Sequence, residues 1–124
     1  MSIVNSTGKR VITTMQTISS ANQFAHFKSA GASLILFGGE HCGVCHTIKP
    51  KIESLMAEQF PDITLAYVDC EQSPDICGQQ SVFSLPVIKM YIEGQMYLEL
   101  VRGFSLMELT SQVDRIYQLW KSSE

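Results

Sequence analysis

The sequence predicts an α/β fold with a central mixed β-sheet flanked by helices on both faces. Short apolar runs of strand type alternate with segments whose apolar residues recur at helical spacing, which is typical of α/β domains. One run, Leu34–Phe37, is continuously apolar, as expected of a strand that helices cover on both faces. Near the carboxyl end, two strand-like segments flank Glu93-Gly94, and this predicts the antiparallel hairpin that makes the sheet mixed.

The chain has the size and composition of one globular domain. Its 124 residues are enough to bury roughly two-thirds of the surface that the unfolded chain exposes. Hydrophobic residues make up 45% of the sequence and charged residues 17%, so the chain is not of the disordered type. We assign residues 10–121 to a single domain and the mostly polar residues 1–9 to a flexible N-terminal segment.

Charge and hydropathy argue against two classes of partner. The net charge is −3 and Lys and Arg do not cluster, so we expect no binding to nucleic acid. The longest apolar stretch, Ala32–Phe37, falls far short of the ~20 residues that span a bilayer, so we expect no membrane segment. Polar residues interrupt the sequence after Lys9-Arg10, unlike a signal peptide. We therefore expect a cytoplasmic protein, whose cysteine pairs are catalytic or transient.

The first half of the chain predicts two strands and a helix. Val11–Met15 is expected to form a short strand, and Ser19-Ser20 to begin a helix with Phe24 and Phe27 on one face. Gly31 ends that helix, and the apolar run described above forms the next strand.

The middle of the chain predicts a long amphipathic helix over Gly43–Phe60, because its apolar residues recur at helical spacing. Pro50 lies inside this helix and is expected to kink it. A strand is expected over Ile63–Val68, and Ser73-Pro74-Asp75 is expected to begin a short helix with Pro in its first turn.

The last part predicts the hairpin strands Val87–Ile92 and Gln95–Val101, followed by a helix that begins at Ser105. The buried side of that helix carries Leu106, Leu109, Val113, Ile116, Tyr117 and Trp120. The residues expected in the core, with a packing role only, are Phe37, Ile48, Ile52, Leu65, Val68, Ile88, Tyr91, Leu109 and Ile116.

The chemistry of the chain is concentrated in Cys42 and Cys45, at the start of the long helix. Side chains three residues apart on a helix have Cβ atoms roughly 5–6 Å apart, and a disulfide needs Cα atoms about 4.4–6.8 Å apart, so the pair can close without movement of the backbone. The free N–H groups and the dipole of a helix N-terminus favour an anion at Cys42. Cys45, one turn inward, gains less from both. The pair is therefore suited to reversible thiol–disulfide exchange.

Several motifs follow one another along the chain in a recognisable order. They are the apolar strand, Cys42-Gly43-Val44-Cys45, Pro50, Glu71–Pro74, Leu85-Pro86, Gly94 and Gly103. A Cys-x-x-Cys motif inside a βαβ pattern, with an X-Pro pair just before the next strand, is a strong combination. From about residue 11 onward, this ordered set resembles the thioredoxin family.

The resemblance implies a thioredoxin fold, with the five strands side by side in the order first, third, second, fourth and fifth. It implies an enzyme, a protein dithiol/disulfide oxidoreductase, with Cys42 as nucleophile and Cys45 as resolving thiol. Gly43 leaves room for a substrate, and Leu85-Pro86 would be a cis peptide that faces the cysteines. The implied partners are protein disulfides or thiols and an electron donor of the thioredoxin-reductase type. No cofactor or metal is implied.

The sequence departs from the thioredoxin pattern at four positions. His41 and Val44 replace the usual Trp before the first cysteine and Pro before the second. Leu36 replaces a buried Asp that accepts a proton in the family, and Tyr67 replaces its Lys neighbour. Since a general base contributes about 10² to 10⁴ in rate, efficient turnover would require Glu40, His41 or water in its place.

Two further interpretations of the cysteines concern their tuning and the second pair. We hypothesise that protonated His41 stabilises the Cys42 thiolate and makes the pair more oxidising. For Cys70 and Cys77 we favour separate buried thiols, with a second, regulatory disulfide as the alternative.

Three other functions compete with oxidoreduction. A binding or adaptor module could keep the same fold with little turnover, because fold does not determine function. The motif with His46 matches the Cys-x-x-Cys-His pattern of covalent haem attachment, although haem is attached in this way outside the cytoplasm. A zinc site is disfavoured because Cys70 and Cys77 are too far apart in sequence to form a second close pair.

Overall fold

The computed structural model describes residues 15–123 and, before them, only the backbone of two strands. These strands, β1 (Ser2–Val4) and β2 (Arg10–Ile12), pair antiparallel as a separate two-stranded sheet. The flexible segment predicted for residues 1–9 falls partly on residues 1 and 5–9, which lie outside the described residues. It stays a prediction, as does the domain boundary at 10–121.

A mixed five-stranded sheet forms the centre of the molecule. The strand order is β3-β5-β4-β6-β7, so the five strands lie in the order first, third, second, fourth and fifth. The β3/β5 and β4/β5 pairs are parallel, whereas β4/β6 and β6/β7 are antiparallel. The predicted fold class is confirmed. The strands are β3 (Gln16–Ile18), β4 (Ala32–Gly38), β5 (Thr64–Asp69), β6 (Val87–Ile92) and β7 (Gln95–Val101).

Four helices begin where the sequence places them. They are α1 (Ala21–Ser29), α2 (Gly43–Gln59), α3 (Pro74–Gln79) and α4 (Leu106–Ser122). The Oγ atoms of Ser20 and Ser105 accept N-cap hydrogen bonds of 3.1 and 3.0 Å from backbone N–H groups three residues on. Pro50 lies inside α2, and the kink predicted there stays a prediction. Of the described helices, none combines the length and apolar character needed to cross a bilayer.

The first strand of the sheet is displaced from its predicted position. We expected it at Val11–Met15, but the structure begins β3 at Gln16 and pairs part of the predicted segment with β1. Ile18 is fully buried and pairs with Val68 in the neighbouring strand, so this side chain anchors the edge strand. The Met15 N–H instead donates a 2.7 Å hydrogen bond to Glu53 Oε2 on α2.

The core has two layers, one on each face of the sheet. Alternate residues of β4 face opposite layers: Leu34 and Leu36 pack with α2 and α4, whereas Ile35 and Phe37 pack with α1 and α3. This explains why β4 reads as a continuous apolar run, since both of its faces are covered. Of the predicted core residues, all are buried except Ile48, which is half-buried at the edge of the first layer.

The turn between β6 and β7 is the predicted hairpin. Glu93 and Gly94 both have positive φ, 51° and 89°, the backbone geometry of a two-residue type I′ turn. The edge strands of the sheet are β7 and β3.

Because β4 and β5 are parallel, their carboxyl ends lie side by side at the same end of the sheet, and the cysteines follow β4 there.

Candidate active site

Cys42 and Cys45 are joined by a disulfide at the first turn of α2, with Cα atoms 5.2 Å apart. Cys42 is the N-cap residue of the helix, with extended backbone angles. Its Sγ accepts a 3.2 Å hydrogen bond from the Cys45 N–H, and its carbonyl accepts one from the His46 N–H. The sulfur therefore occupies the position where a helix N-terminus stabilises negative charge.

The two sulfurs differ in access to solvent. Cys42 is half-buried, whereas Cys45 is only 1% exposed. Between them Val44 is 60% exposed, and a Cβ added to Gly43 would meet no atom within 4 Å. A partner molecule can thus approach Cys42 over an open surface, while Cys45 is reached only through its neighbour.

Two glycines at the end of β4 allow close packing beneath the motif. A Cβ at Gly38 would lie 2.7 Å from Tyr67 Oη and 3.1 Å from Cys45 Cβ. A Cβ at Gly39 would lie 2.9 Å from Glu71 Oε2 and 3.2 Å from Leu85 Cδ1. A side chain at Gly38 would therefore force Tyr67 to shift, and one at Gly39 would force Glu71 and Leu85 to give way.

Glu71 holds His41, the residue before Cys42. One carboxylate oxygen accepts a 2.8 Å hydrogen bond from the His41 N–H, and the other lies 2.6 Å from His41 Nδ1. The hydrogen bond with Glu71, and then the charges of Glu71 and Glu40, raise the pKa of His41. The hydrogen bonds from the His41 backbone and then its side chain lower the pKa of Glu71. The pair is therefore ionic over a wider pH range than either group alone would allow.

The turn after β5 places Glu71 at this position. The Asp69 carboxylate accepts hydrogen bonds of 2.8 and 3.2 Å from the N–H groups of Glu71 and Gln72. The Cys70 N–H donates a 2.8 Å hydrogen bond to the Gly38 carbonyl, which continues the pairing of β5 with β4. Sequence reasoning missed Glu71 as a partner of His41. The signal available was that both residues follow neighbouring parallel strands, whose carboxyl ends lie side by side.

Leu85-Pro86 lies beside the motif, and its peptide bond is cis. Pro86 is buried, and its carbonyl accepts a 2.9 Å hydrogen bond from the Arg102 N–H. Leu85 is half-buried and reaches the loop before the cysteines through the Gly39 contact. In the same segment Phe83 is 81% exposed, and sequence reasoning did not single out this residue. The predicted site residues thus lie in two segments, 41–45 and 85–86, and Leu85 brings the second segment against the loop that precedes the first.

Cys70 and Cys77 are bonded to each other, with Cα atoms 5.7 Å apart. The interpretation that we favoured, two separate buried thiols, is wrong, and the structure adopts the alternative. The tight turn after β5 brings α3 back against the strand end within disulfide range, and this turn depends on Asp69. Cys77 is buried at 3% exposure, and Cys70 is half-buried.

The groups able to bind a metal near the site are Glu40, His41 and Glu71, whose ligand atoms lie within 4.8 Å of one another. All three are exposed, and the ion pair of His41 with Glu71 accounts for their proximity. His46, the residue required by a haem-attachment motif, donates from Nε2 to the Glu40 carbonyl at 2.7 Å. One ring nitrogen of each imidazole is thus engaged by a protein group.

Sequence comparison with known families gives a single consistent result. The family model described as thioredoxin matches residues 14–115. A thioredoxin of Chlamydia trachomatis is 34% identical over 102 residues, which cover 82% of this chain and 95% of that protein. A thioredoxin-like protein of Bacillus subtilis, YdfQ, is 29% identical over 89 residues, or 72% and 79% of the two chains.

Comparison of structures agrees with the family match. The thioredoxin of Trypanosoma brucei brucei superposes with a TM-score of 0.79 at 24% identity, over 87% of this chain and 95% of that one. Thioredoxin O2 of Arabidopsis thaliana in its oxidized state superposes with a TM-score of 0.74 at 24% identity, over 86% and 97%. At this identity the structures show the shared fold, and the family model covers most of the chain. The chain therefore belongs to the thioredoxin family.

Proposed function

We propose that the chain is a thiol–disulfide oxidoreductase that exchanges the Cys42/Cys45 pair with protein substrates. The observation that carries the proposal is the asymmetry of the pair: one half-exposed sulfur at a helix N-terminus, bonded to one that is 1% exposed. An accessible sulfur whose anion is stabilised attacks other molecules, and a shielded sulfur three residues away releases them. Membership of the thioredoxin family supports the same assignment.

In the first step the Cys42 thiolate attacks one sulfur of a substrate disulfide. The substrate S–S bond breaks, a mixed disulfide forms, and the second substrate sulfur leaves as a thiolate that takes a proton from water. The N–H groups at the start of α2 stabilise the attacking thiolate beforehand. The open surface at Gly43 and the cis peptide before Pro86 give an extended substrate segment a place to lie.

In the second step Cys45 attacks Cys42 and reforms the internal disulfide. The mixed disulfide breaks, and its electron pair leaves with the substrate sulfur, so the substrate is reduced by two electrons and the cysteine pair is oxidised. Because the two Cα atoms are already 5.2 Å apart, the reaction is intramolecular and needs no rearrangement of the backbone.

Trapping the mixed disulfide tests the proposal directly. In a Cys45→Ser variant that also carries Cys70→Ser and Cys77→Ser, Cys42 is the only remaining thiol. This reduced variant should form a one-to-one adduct with a disulfide-containing protein such as insulin, and dithiothreitol should release it. The matched control retains Cys45 and replaces Cys42 with Ser, and it should form no adduct because its thiol is shielded. Equal trapping by both variants would refute the assigned roles.

An adaptor with little turnover is the second candidate. The observation in its favour is Leu36, which is fully buried where the family pattern has an Asp that accepts a proton. The two candidates differ in catalysis, since an adaptor would bind a partner and fail to reduce insulin repeatedly in the presence of dithiothreitol. Multiple turnovers per molecule would exclude the adaptor.

The cellular setting belongs to the same proposal. Repeated reduction of substrates consumes the dithiol, so a donor of the thioredoxin-reductase type would have to regenerate it. A reducing compartment such as the cytoplasm supplies that condition. Rapid reduction of the purified protein by such a reductase and NADPH would support this assignment.

A further inference from the structure

The resolving cysteine lies where a thiolate is poorly stabilised by solvent. Cys45 is 1% exposed and lies on the buried side of α2, as does the fully buried Ile52. Desolvation disfavours the charged form of a thiol, yet only the thiolate attacks a disulfide. If the chain acts as proposed above, some group near Cys45 has to stabilise the anion.

The hydroxyl of Tyr67 is the polar group that the fold brings to this point from the sheet. Tyr67 pairs with Leu36 across β5 and β4 and faces α2. A Cβ added to Gly38 would be 2.7 Å from Tyr67 Oη and 3.1 Å from Cys45 Cβ, so the hydroxyl and the cysteine lie on either side of one small space. Because Gly38 has no side chain, the Tyr67 hydroxyl can approach Cys45.

A cation holds the tyrosine ring from the helix side. Lys49 follows Cys45 by four residues, so the two side chains lie on the same face of α2. Its Nζ lies 4.7 Å from the centre of the Tyr67 ring, a cation–π contact. Lys49 is half-buried, so its charge acts in a setting that solvent screens only in part.

We propose that the Tyr67 hydroxyl donates a hydrogen bond to the Cys45 thiolate during the resolving step, and that Lys49 positions the ring and adds positive charge. This inference rests on the proposed function and assigns a thiolate-stabilising residue and a positioning residue for it. In this chain the stabilisation comes from a neutral donor and a cation, in place of a carboxylate that takes up a proton.

The step balances with water as the acceptor of the proton. The Cys45 thiol gives its proton to water, and its sulfur attacks Cys42 Sγ. The bond between Cys42 and the substrate breaks, and the substrate sulfur leaves with the electron pair. Tyr67 keeps its proton throughout, because it only donates a hydrogen bond.

The two histidines that flank the cysteines in sequence are held by other groups. His46 donates to the Glu40 carbonyl, and His41 is paired with Glu71 at the exposed rim. Burial, and then the charges of Asp69 and Glu71, raise the pKa of Tyr67. The hydroxyl therefore remains protonated at neutral pH and available as a donor.

The experiment measures Cys45 apart from turnover. In a Cys42→Ser background, the ultraviolet absorbance of the Cys45 thiolate is followed against pH, and the signal of the matched Cys42→Ser/Cys45→Ser protein is subtracted. Tyr67→Phe keeps the ring and removes only the hydroxyl. It should move the titration midpoint to higher pH by about one unit, and slow resolution of a preformed mixed disulfide roughly tenfold at neutral pH. Lys49→Gln should cause a smaller shift in the same direction.

Tyr91→Phe provides the matched control. Tyr91 is also buried, at 3% exposure, but it packs in the other core layer against Phe24. This variant should leave both the midpoint and the resolution rate unchanged. If Tyr67→Phe behaves like Tyr91→Phe in both measurements, the inference is overturned. Failure of Cys42 to form a mixed disulfide would instead count against the proposed function, while the titration would still decide the role of Tyr67.

Discussion

The two disulfides of this chain lie in opposite electrostatic surroundings. Cys42 caps a 17-residue helix and is preceded by His41, whose pKa is raised. Cys70 lies between the carboxylates of Asp69 and Glu71, and Cys77 lies within the six-residue helix α3. The N-terminus of α2 favours a thiolate at Cys42, whereas the adjacent carboxylates of Asp69 and Glu71 oppose one at Cys70.

This comparison indicates that a suitable spacing alone does not make a cysteine pair reactive. Both pairs have Cα separations that suit a disulfide, 5.2 and 5.7 Å. Of the four cysteines, Cys42 alone combines partial exposure with the N-terminus of a long helix, and Cys45 lies buried three residues from it. We therefore expect exchange chemistry at the first pair and a mainly structural role for the second.

The largest expected effect is on catalysis. Cys42→Ser should reduce insulin reduction by roughly 10³-fold or more, because the nucleophile itself is lost. Cys70→Ser/Cys77→Ser should stay within about threefold of the unmodified protein. Initial rates under saturating dithiothreitol measure both variants. A comparable loss in the double variant would break the contrast and make the second disulfide part of the active machinery.

For the free energy of unfolding we expect the opposite order: loss of the Cys70–Cys77 disulfide should have a larger effect than loss of the Cys42–Cys45 disulfide. In the chain-entropy model a disulfide stabilises more when it closes a longer loop. The second pair is separated by seven residues and the first by three. Replacing Cys70 and Cys77 by Ser should therefore lower the free energy of unfolding by about 2.5 kcal/mol, against about 2 kcal/mol for the Cys42 and Cys45 pair. Urea unfolding of the oxidised proteins measures both, and a larger loss at the first pair would contradict the ranking.

The smallest expected effect is a change in the pKa of His41, the charged residue before Cys42. Glu71→Gln should lower the pKa of His41 toward its usual 6.5, since the hydrogen bond and charge that raise it are weakened or lost. Glu40→Gln is the control, because Glu40 acts on His41 only through its charge and should lower the pKa less. NMR titration of the imidazole measures both variants. An equal fall in the two would show that the hydrogen bond has no special role.

The sign of the linked pH dependence follows from the same pair. The raised pKa of His41 stabilises the fold fully below pH 6.5, and this contribution is lost as the pH rises through the folded-state value. The lowered pKa of Glu71 stabilises the fold above pH 4.5, and this is lost as the pH falls through its folded-state value. The pair thus stabilises most between these two pH values, and Glu71→Gln should remove that maximum.

Short sequence patterns were sufficient to predict several helices, strands and turns of the fold. The apolar run of β4, the hairpin turn at Glu93-Gly94 and the serine cap of α4 all lie where the sequence places them. Each of these signals comes from a short segment, so no knowledge of distant contacts is needed. The edge strand was misplaced because its position depends on the pairing of Ile18 with Val68, which no local pattern specifies.

In the candidate site, the cysteine pair could be predicted from the sequence, but the side-chain contacts around it could not. The spacing of Cys42 and Cys45 points to their chemistry, and the structure joins them at the helix start. The contacts of Glu71 with His41 and of Lys49 with Tyr67 join different elements of the chain. Such contacts depend on the register of β4 and β5 and on the packing of α2, and both are products of the whole fold.

The use of a cysteine as the cap of α2 has one more consequence. The Cys45 amide proton is bonded to the Cys42 sulfur, so any covalent change at that sulfur is felt directly at this amide. In the proposed cycle, its chemical shift and hydrogen-exchange rate therefore report whether Cys42 is reduced, bonded to a partner or oxidised. The molecule can be observed through its working cycle without an attached label.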